Sequence, residues 1–306
     1  MNPAVDRATS VDALLSERKL RCDPPTTEPG GGGINVSRAL RRLGEDAFAL
    51  FPAGGTTGEL LTELLEAEGV PFRRIPIGAS TRENLHVTER STGRQLRFCM
   101  PGPTLREAEW KRLFEEVERL TPFPEYLVAS GSLPPGVPVD FYAKLAGLVR
   151  GKGGRLVLDT FGQPLRLAAE TGVFLIKPSL REFEEMTGEP GADESHLPKL
   201  AAELIARGSA ELLVISLGPA GAFWATSSGA GRLAAPVVPV RSSVGAGDSM
   251  VAGVVAGLRR GLSAGEAVRL GVAAGAAAVM NPGTQLCRRE DLDRLLGRVV
   301  EPAAPP

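Results

Sequence analysis

Histidine and cysteine are scarce in this chain, and their scarcity excludes several kinds of site. In 306 residues there are two histidines, His86 and His196, and three cysteines, Cys22, Cys99 and Cys287. Three widely spaced cysteines are too few, and odd in number, for a disulfide or zinc framework. Two histidines do not favour a histidine-ligated metal centre or a Ser–His–Asp triad. We therefore expect the chemistry to come from carboxylates, hydroxyls, amides and the main chain.

The chain also lacks long apolar runs and an excess of one charge. No run of 18 apolar residues occurs, and Met1-Asn2-Pro3 does not resemble the start of a signal peptide. The net charge is −1 and the pI is near 6.3, so nucleic acid and anionic membranes are poor candidate partners. Because 43% of the residues are hydrophobic, a large core is possible. We expect a soluble, cytoplasmic protein.

The stretch Ser243–Met250 combines glycines with an acidic residue and is followed by an apolar, glycine-spaced run. Gly245 and Gly247 can adopt positive φ angles, which lets successive N–H groups point into one concavity. Asp248 then lies at a helix start, where the macrodipole favours an ionised carboxylate. A base beside an anion hole suits phosphoryl transfer to a hydroxyl. An ordinary helix start is the alternative, because Asp is a preferred N-cap.

Short apolar runs alternate with helical patterns after Pro103, which predicts a parallel sheet covered on both faces. The predicted strands are Tyr126–Ala129, Arg155–Leu158, Val173–Ile176 and Leu212–Ile215, with a last strand pair near Val240. The predicted helices are Glu107–Arg119, Asp140–Arg150, Pro198–Ala206, Asp248–Leu262, Ser263–Met280 and Arg289–Val299.

The first hundred residues predict a different kind of secondary structure. Glu28–Gly33 indicates a turn before a helix, whereas apolar and polar residues alternate over Phe72–Met100, as in a half-exposed antiparallel sheet. We interpret residues 1–306 as a single domain, with a small β lid made from about residues 6–22 and 72–100. An exposed sheet of this kind needs cover, so we expect it to close over a ligand, bind a second subunit, or do both.

Several polar groups are predicted to lie at strand ends or on the lid. The glycine run that ends at Asn35 opens a helix and is a candidate anion or polyol site, although it does not fit the dinucleotide fingerprint. Arg82 and Arg97 on the lid could bind a phosphate, or could be ordinary surface charges. Lys177–Glu182 and Val214–Gly221 each leave a strand at its carboxyl end, which is where α/β folds bind ligands.

Taken together, these segments resemble a known family. The motifs Pro29–Val36, Ser130–Gly136, Val214–Ala222 and Val244–Met250 are similar to those of the PfkB (ribokinase-like) carbohydrate kinases. Thr81–Val87, Arg97–Gly102 and Lys19–Cys22 look like the members that phosphorylate fructose 6-phosphate. The resemblance extends from Asn2 to about Leu296. It implies a ribokinase-like three-layer α/β/α fold with a mostly parallel sheet and a small β-sheet lid.

The resemblance also implies a reaction, which is transfer of the γ-phosphoryl group of ATP to the 1-hydroxyl of fructose 6-phosphate. Asp248 would be the base, and Gly245, Ala246 and Gly247 would donate N–H groups to the phosphoryl group. The sugar would contact Asp6, Gly31 and Asn35, and its phosphate Arg82, Arg97 and Ser132. ATP would contact Lys177, Ser179, Glu182, Ser216, Gly218, Gly221 and Asn281, with Glu182 acting on Mg²⁺ through water. A monovalent cation such as K⁺ would bind at Ser242, Val244, Ala278, Asn281 and Gly283. Packing of lid against lid would form a homodimer.

Two departures from the family pattern keep alternatives open. Ser179 stands where the family has Asn, so we expect weaker ordering of magnesium and water near the phosphates. In relatives an interior strand leads into the segment Asn2–Asp6; without it, we expect unpaired backbone groups. We further expect either that residues upstream of Met1 supply the strand or that another segment pairs in its place. The alternative functions are a tagatose-6-phosphate kinase, a 1-phosphofructokinase and a catalytically weak sugar-phosphate-binding protein. A dinucleotide oxidoreductase is more distant.

Overall fold

Short apolar runs form the strands of the protein, and longer amphipathic segments form its helices. The computed structural model describes residues 1–189 and 194–301. The strands are β1 Ala4–Val11, β2 Thr26–Gly30, β3 Ala49–Ala53, β4 Phe72–Pro76, β5 Arg82–Glu89, β6 Gln95–Phe98, β7 Tyr126–Ser130, β8 Arg155–Asp159, β9 Val173–Ile176, β10 Ala210–Ser216, β11 Ala222–Thr226 and β12 Gly229–Leu233. The helices are α1 Gly32–Arg42, α2 Gly55–Ala67, α3 Glu107–Glu118, α4 Phe141–Gly151, α5 Gly162–Thr171, α6 Leu180–Thr187, α7 Leu197–Ala206, α8 Ala246–Arg259, α9 Ala264–Val279 and α10 Arg289–Leu296. Within these described ranges, no helix has the length and apolar character that crossing a membrane requires.

The main sheet has the order β12-β11-β10-β9-β8-β7, and β7 to β10 run parallel. Alternate side chains of its strands enter two separate cores, as a sheet covered on both faces requires. Val157 and Val214 pack in the core that contains α8 and α9, whereas Leu158 and Ile215 pack in the core that contains α4 and α7. The predicted three-layer α/β/α fold is confirmed.

The pair of helices α8 and α9 is packed unusually closely through small residues. A Cβ atom at Gly253 would lie 2.8 Å from the Cα atom of Gly271, and a Cβ atom at Gly257 would lie 2.7 Å from the Cα atom of Ala267. Such close contact leaves α8 little freedom to shift. The first turn of α8, which carries Asp248, is therefore fixed in position by the core behind it.

The lid is a four-stranded sheet with the order β2-β1-β5-β6. Strands β1 and β5 run parallel, and the two outer pairs are antiparallel. In this register Glu28, Asp6 and Asn84 are neighbours on one face, and His86 and Arg97 follow on the same face. That face, which we call the inner face of the lid, is strongly polar.

The lid and the last strand pair differ from the expectations. Phe72–Pro76 pairs in parallel with β3 and is therefore part of the core domain. Its residue Ile75 is buried, and the ring centroids of Phe72 and Phe51 are 5.7 Å apart. Its place in the lid is taken by Thr26–Gly30, which we had interpreted as part of a turn. The last strand pair is β11 and β12, and the segment near Val240 is not a strand.

A slot separates the two parts of the core sheet. Strand β3 pairs with β4 and strand β7 pairs with β8, but no segment of the described chain pairs with their facing edges. A cavity of about 590 Å³ lies there, lined by both strands and by Met1. Burial, and to a smaller extent the charge of Arg82, lowers the pKa of the Met1 amine to about 5. The expected unpaired edges are therefore present, and no other segment within the described ranges replaces the strand.

We expect an added strand to fill this slot and stabilise the fold. A protein extended ahead of Met1 by about ten residues, including an apolar strand of about five, would pair both free edges and replace the buried amine by a neutral amide. Its melting temperature should rise by several degrees, since each kcal/mol is worth about 2–4 °C in a domain of this size. An extension of equal length made of Gly and Ser is the matched control. Equal melting of the two extended proteins would contradict this expectation.

Candidate active site

The glycine-rich segment forms the start of α8. Gly245 is its N-cap and adopts φ 75°, and a Cβ atom there would lie 2.6 Å from Cδ2 of Leu286. A glycine is therefore required on both conformational and steric grounds. Gly247, by contrast, lies inside the first turn of α8 and is not among the glycines with positive φ, so that part of the expectation is wrong. The free N–H groups of this helix start are suited to binding an anion, and that role remains a prediction.

Asp248 lies in this first turn and contacts two other elements. Asn35 Nδ2 on α1 donates to its Oδ2 at 2.9 Å, and Ser130 Oγ at the end of β7 lies 3.4 Å from its Oδ1. Both partners donate hydrogen bonds to the carboxylate and leave it able to accept a proton. Ser130 was not among the predicted site residues, although it begins the motif that ends at Gly136. Its contact depends on the register of β7, which the sequence does not specify.

The pKa of Asp248 differs from the expectation. Desolvation, and to a smaller extent the nearby carboxylate of Asp159, raises this pKa, which is about 7 in total. Hydrogen bonds from Asn35 and Ser130 and the charge of Lys177 lower it in part. Desolvation therefore outweighs the helix dipole, which we had expected to favour the ionised form. A pKa near neutrality is the range in which a carboxylate is an effective general base.

A buried ion pair lies beside the start of α8. Lys177 Nζ is 3.3 Å from Asp159 Oδ1; Lys177 follows the end of β9, and Asp159 is the last residue of β8. A Cβ atom at Gly247 would be 3.8 Å from Lys177 Nζ, so the ammonium group lies close to the helix start. Burial raises the pKa of Asp159, and Lys177 opposes that shift. Asp159 was missed by sequence reasoning; its position at a strand end next to Lys177 was the available signal.

The residues predicted for ATP lie in two groups. In the first, Ser179 caps α6 in a reciprocal pair with Glu182: Ser179 N donates to Glu182 Oε2 at 2.7 Å, and Glu182 N donates to Ser179 Oγ at 3.3 Å. Ser216 N donates to the Pro178 carbonyl at 2.9 Å, which joins the ends of β9 and β10. The turn Gly218–Ala220 follows, and Gly221 adopts φ 100°. The effect of Ser179 on magnesium remains a prediction.

The second group surrounds the turn after α9. Asn281 Nδ2 donates to the carbonyl oxygens of Ala277 and Leu286 at 3.1 and 3.2 Å, and Asn281 N donates to the Ala278 carbonyl. Ser242 N donates to the Val279 carbonyl, and its hydroxyl accepts from Val244 N. The turn continues to Gly283, which has φ 63°. Ser242 and Val244 are therefore linked to the end of α9, which carries Ala278, and binding of a monovalent cation remains a prediction.

The residues predicted for the sugar lie around the segment Asn2–Asp6. Asp6 is buried and its Oδ1 accepts from Asn84 Nδ2 at 2.8 Å. Asn2 Nδ2 donates to Ser132 Oγ at 3.0 Å. Gly31 caps α1 with φ 100°, and a Cβ atom there would lie 2.9 Å from the Cα atom of Pro3. These contacts place the predicted hydroxyl-binding groups on the same side as Asn35.

The two predicted phosphate-binding arginines have separate partners. Arg82 donates to the carbonyl oxygens of Asn2 and Met100 at 2.8 and 2.9 Å, whereas Arg97 donates to the hydroxyl of Ser243. Arg97 thereby connects the lid to the segment that precedes α8. Both guanidinium groups lie on the inner face of the lid, and a shared phosphate remains a prediction.

Comparisons with known proteins bear on this arrangement. Residues 1–291 match the pfkB family carbohydrate kinase domain. ATP-dependent 6-phosphofructokinase isozyme 2 of Mycobacterium tuberculosis (strain H37Rv) is 47% identical over 99% of this chain and 89% of its own length. The corresponding isozyme of Escherichia coli (strain K12) is 42% identical over 96% of this chain and 95% of its own. A 1-phosphofructokinase of Bacillus subtilis (strain 168) is 33% identical over 83% of this chain and 82% of its own.

Among solved structures, the chain is similar to those of a phosphofructokinase. Phosphofructokinase-2 of Escherichia coli in complex with substrates and products has a TM-score of 0.93 and 40% identity, covering 98% of this chain and 97% of that one. Its complex with potassium has a TM-score of 0.92 and 40% identity, covering 97% and 96%. A tetrameric inhibited form of the same protein has a TM-score of 0.91 and 40% identity over the same shares.

The partly buried carboxylate of Asp248 should destabilise the fold at neutral and higher pH. Because the folded-state pKa of Asp248 is raised to about 7 from 3.8, the unfolded chain loses this proton first as pH rises. Stability is therefore lost between about pH 4 and 7 and stays reduced above that range. Asp248→Asn removes this penalty, so its melting temperature should exceed that of the wild type by more at pH 8 than at pH 5. Asp46→Asn, at an exposed carboxylate, should show no such trend. A difference that is independent of pH would contradict the raised pKa.

Proposed function

The chain belongs to the pfkB family of carbohydrate kinases, and we propose that it transfers the γ-phosphoryl group of ATP to the 1-hydroxyl of fructose 6-phosphate. The observation that carries this proposal is the partly buried carboxylate of Asp248, whose pKa is raised to about 7 at the start of α8. The identity of the 6-phosphofructokinase relatives supports this acceptor, because the 1-phosphofructokinase relative is more distant.

In the proposed reaction Asp248 accepts the proton of the 1-hydroxyl group. The sugar oxygen forms a bond to the γ-phosphorus, the bond from that phosphorus to the bridging oxygen breaks, and ADP leaves. Asn35 and Ser130 donate hydrogen bonds to the carboxylate oxygens and hold the group in position. The base is thus oriented and retains a free lone pair for the incoming proton.

Charge on the transferring group is stabilised by the start of α8 and by Lys177. The N–H groups of Gly245, Ala246 and Gly247 act as preorganised dipoles, and the ammonium group of Lys177 lies next to them. ATP extends past Lys177 towards Ser179, Ser216, Gly218, Gly221 and Asn281. Mg²⁺ bound with ATP neutralises phosphate charge, and two carboxylates, Asp159 and Glu182, suit an ion that keeps most of its waters.

A monovalent cation is proposed at the turn after α9. Hydrogen bonds join Ser242 to Val244 and Asn281 to Ala278, and Ser242 N donates to the Val279 carbonyl, so the predicted residues offer carbonyl and hydroxyl oxygens from two linked segments. Oxygen ligands of this kind suit a cation such as K⁺, and the Escherichia coli relative has been crystallised with potassium. The proposed role is to hold the segment before Gly245 in place.

The acceptor binds between the core and the inner face of the lid. Asp6, Gly31 and Asn35 contact its hydroxyl groups, while Arg82, Arg97 and Ser132 bind or flank its phosphate. Arginine is suited to a phosphate because it can donate two parallel hydrogen bonds. Arg97 would exchange its contact with Ser243 for the phosphate, which couples lid closure to substrate binding. We place this reaction in the cytoplasm.

The outer face of the lid supports a homodimer. Leu85, Leu96 and Phe98 on this face are 37%, 43% and 45% exposed. Three large apolar side chains on one small sheet are typical of an interaction surface. The tetrameric form of the Escherichia coli relative shows that its subunits assemble, and we propose lid-to-lid packing for this chain. Sedimentation as a monomer at micromolar concentration would contradict this assignment.

A coupled assay of ADP release tests the function. Fructose 6-phosphate should be the preferred acceptor over fructose 1-phosphate and free fructose, because the phosphate contacts the lid arginines and the 1-hydroxyl must be free. Tagatose 6-phosphate meets both conditions and differs only in the configuration at C4, so the expected preference over it rests on the 6-phosphofructokinase relatives. Asp248→Asn should lower kcat by roughly 10²–10⁴ while remaining folded, since the amide cannot accept the proton. Asp46→Asn serves as the matched control.

Two outcomes would contradict the proposal. Higher kcat/KM with fructose 1-phosphate would assign the chain to the 1-phosphofructokinase alternative. Near-native turnover by Asp248→Asn would remove that residue from the mechanism, whichever sugar is used.

A further inference from the structure

One buried histidine of the lid has no visible partner. The side chain of His86 is 8% exposed, and neither of its ring nitrogens is hydrogen-bonded to any residue in the two described ranges. Buried polar groups are nearly always satisfied, so an unpaired imidazole calls for an explanation. The mechanism above assigns it no role.

His86 lies on the inner face of the lid, among the groups proposed to bind the sugar. It is the cross-strand neighbour of Ala8 and Arg97 in the sheet register. Its Nε2 atom is 3.9 Å from Asp6 Oδ1, which is too far for a direct hydrogen bond. The same oxygen of Asp6 accepts from Asn84 Nδ2.

The space between Nε2 and Oδ1 suits one kind of atom. An oxygen about 2.8 Å from each of them would make an angle of about 90° between the two contacts. That oxygen must donate to the carboxylate and accept from the imidazole N–H. A sugar hydroxyl does both, as does a water molecule that the hydroxyl would displace, whereas an ionised phosphate cannot donate and would be repelled by Asp6.

We infer that His86 and Asp6 together bind one ring hydroxyl of the acceptor sugar, and that His86 is a specificity-determining residue. This inference rests on the proposed function. The hydroxyl is not the reacting one, because Asp248 has a different set of partners, Asn35 and Ser130. A sugar with this hydroxyl missing or inverted leaves the imidazole unpaired and binds less tightly.

Two substitutions separate the hydrogen bond from the shape of the ring. His86→Phe keeps a planar ring without nitrogen, and it should raise KM for fructose 6-phosphate by roughly 2- to 12-fold, the equivalent of one hydrogen bond. We expect kcat to stay within twofold, because the residue does not touch the reacting atoms. His86→Gln retains an N–H donor and should recover part of the loss. His196→Phe, at the other and exposed histidine, should change neither constant.

Melting without ligand distinguishes binding from a structural role. Replacing an unsatisfied imidazole by an apolar ring of similar shape should leave the melting temperature equal or higher. A structural hydrogen bond would instead be lost, and the melting temperature would fall.

Deoxy analogues provide the decisive comparison. With 3-deoxy- and 4-deoxy-fructose 6-phosphate as probes, the wild type should show a raised KM for the analogue that lacks the bound hydroxyl. His86→Phe should show no further increase with that analogue, because the partner is already absent. If His86→Phe raised KM equally for every substrate, or left KM for fructose 6-phosphate unchanged, the inference would be overturned and the proposed function would stand. A wild-type protein inactive on fructose 6-phosphate would overturn the proposed function, and this inference with it.

Discussion

Partial burial of the Asp248 carboxylate at the start of α8 is the constraint on which the site depends. Asn35 on α1 and Ser130 at the end of β7 contact the carboxylate and shield it in part from water, and α9 packs against α8 from behind. Burial raises the pKa of the carboxyl to about 7, while Asn35 and Ser130 keep it oriented. The group is thus ready to accept a proton near neutral pH, at a cost in stability that the packed core must offset.

The charges around this carboxylate divide the site into two sides. Lys177 and its partner Asp159 lie on the side proposed for ATP, where a net anionic ligand would meet an ammonium group and free N–H groups. The sugar side is lined by the inner face of the lid, where carboxylate, amide, imidazole and guanidinium groups are placed by strand register. Because Arg97 also contacts Ser243, the lid and the start of α8 are physically connected. A substrate phosphate that binds Arg97 in place of Ser243 would therefore affect both the lid and the segment before α8.

Local patterns predicted much of this arrangement, and long-range contacts account for the rest. The strand Val173–Ile176 has the predicted bounds, because a short apolar run between a glycine and a lysine leaves little ambiguity. Phe72–Pro76 was assigned to the lid because apolar and polar residues alternate in the same way in a lid strand and in an edge strand of the core. The raised pKa of Asp248 and the role of Asp159 were missed, since both depend on burial and on the distance between strand ends. His86 was noted only as a rarity, because its lack of a partner becomes visible only in three dimensions.

The pH dependence of kcat/KM for fructose 6-phosphate tests the central claim most directly. If the carboxylate of Asp248 is the base, activity should fall on the acid side with an apparent pKa of about 7, because the protonated form cannot accept the hydroxyl proton. The substrate phosphate also titrates near this range, so the measurement should be repeated with its non-titrating 6-sulfate analogue. An acid limb near pH 4 with the sulfate analogue, the value of an exposed carboxylate, would contradict the account.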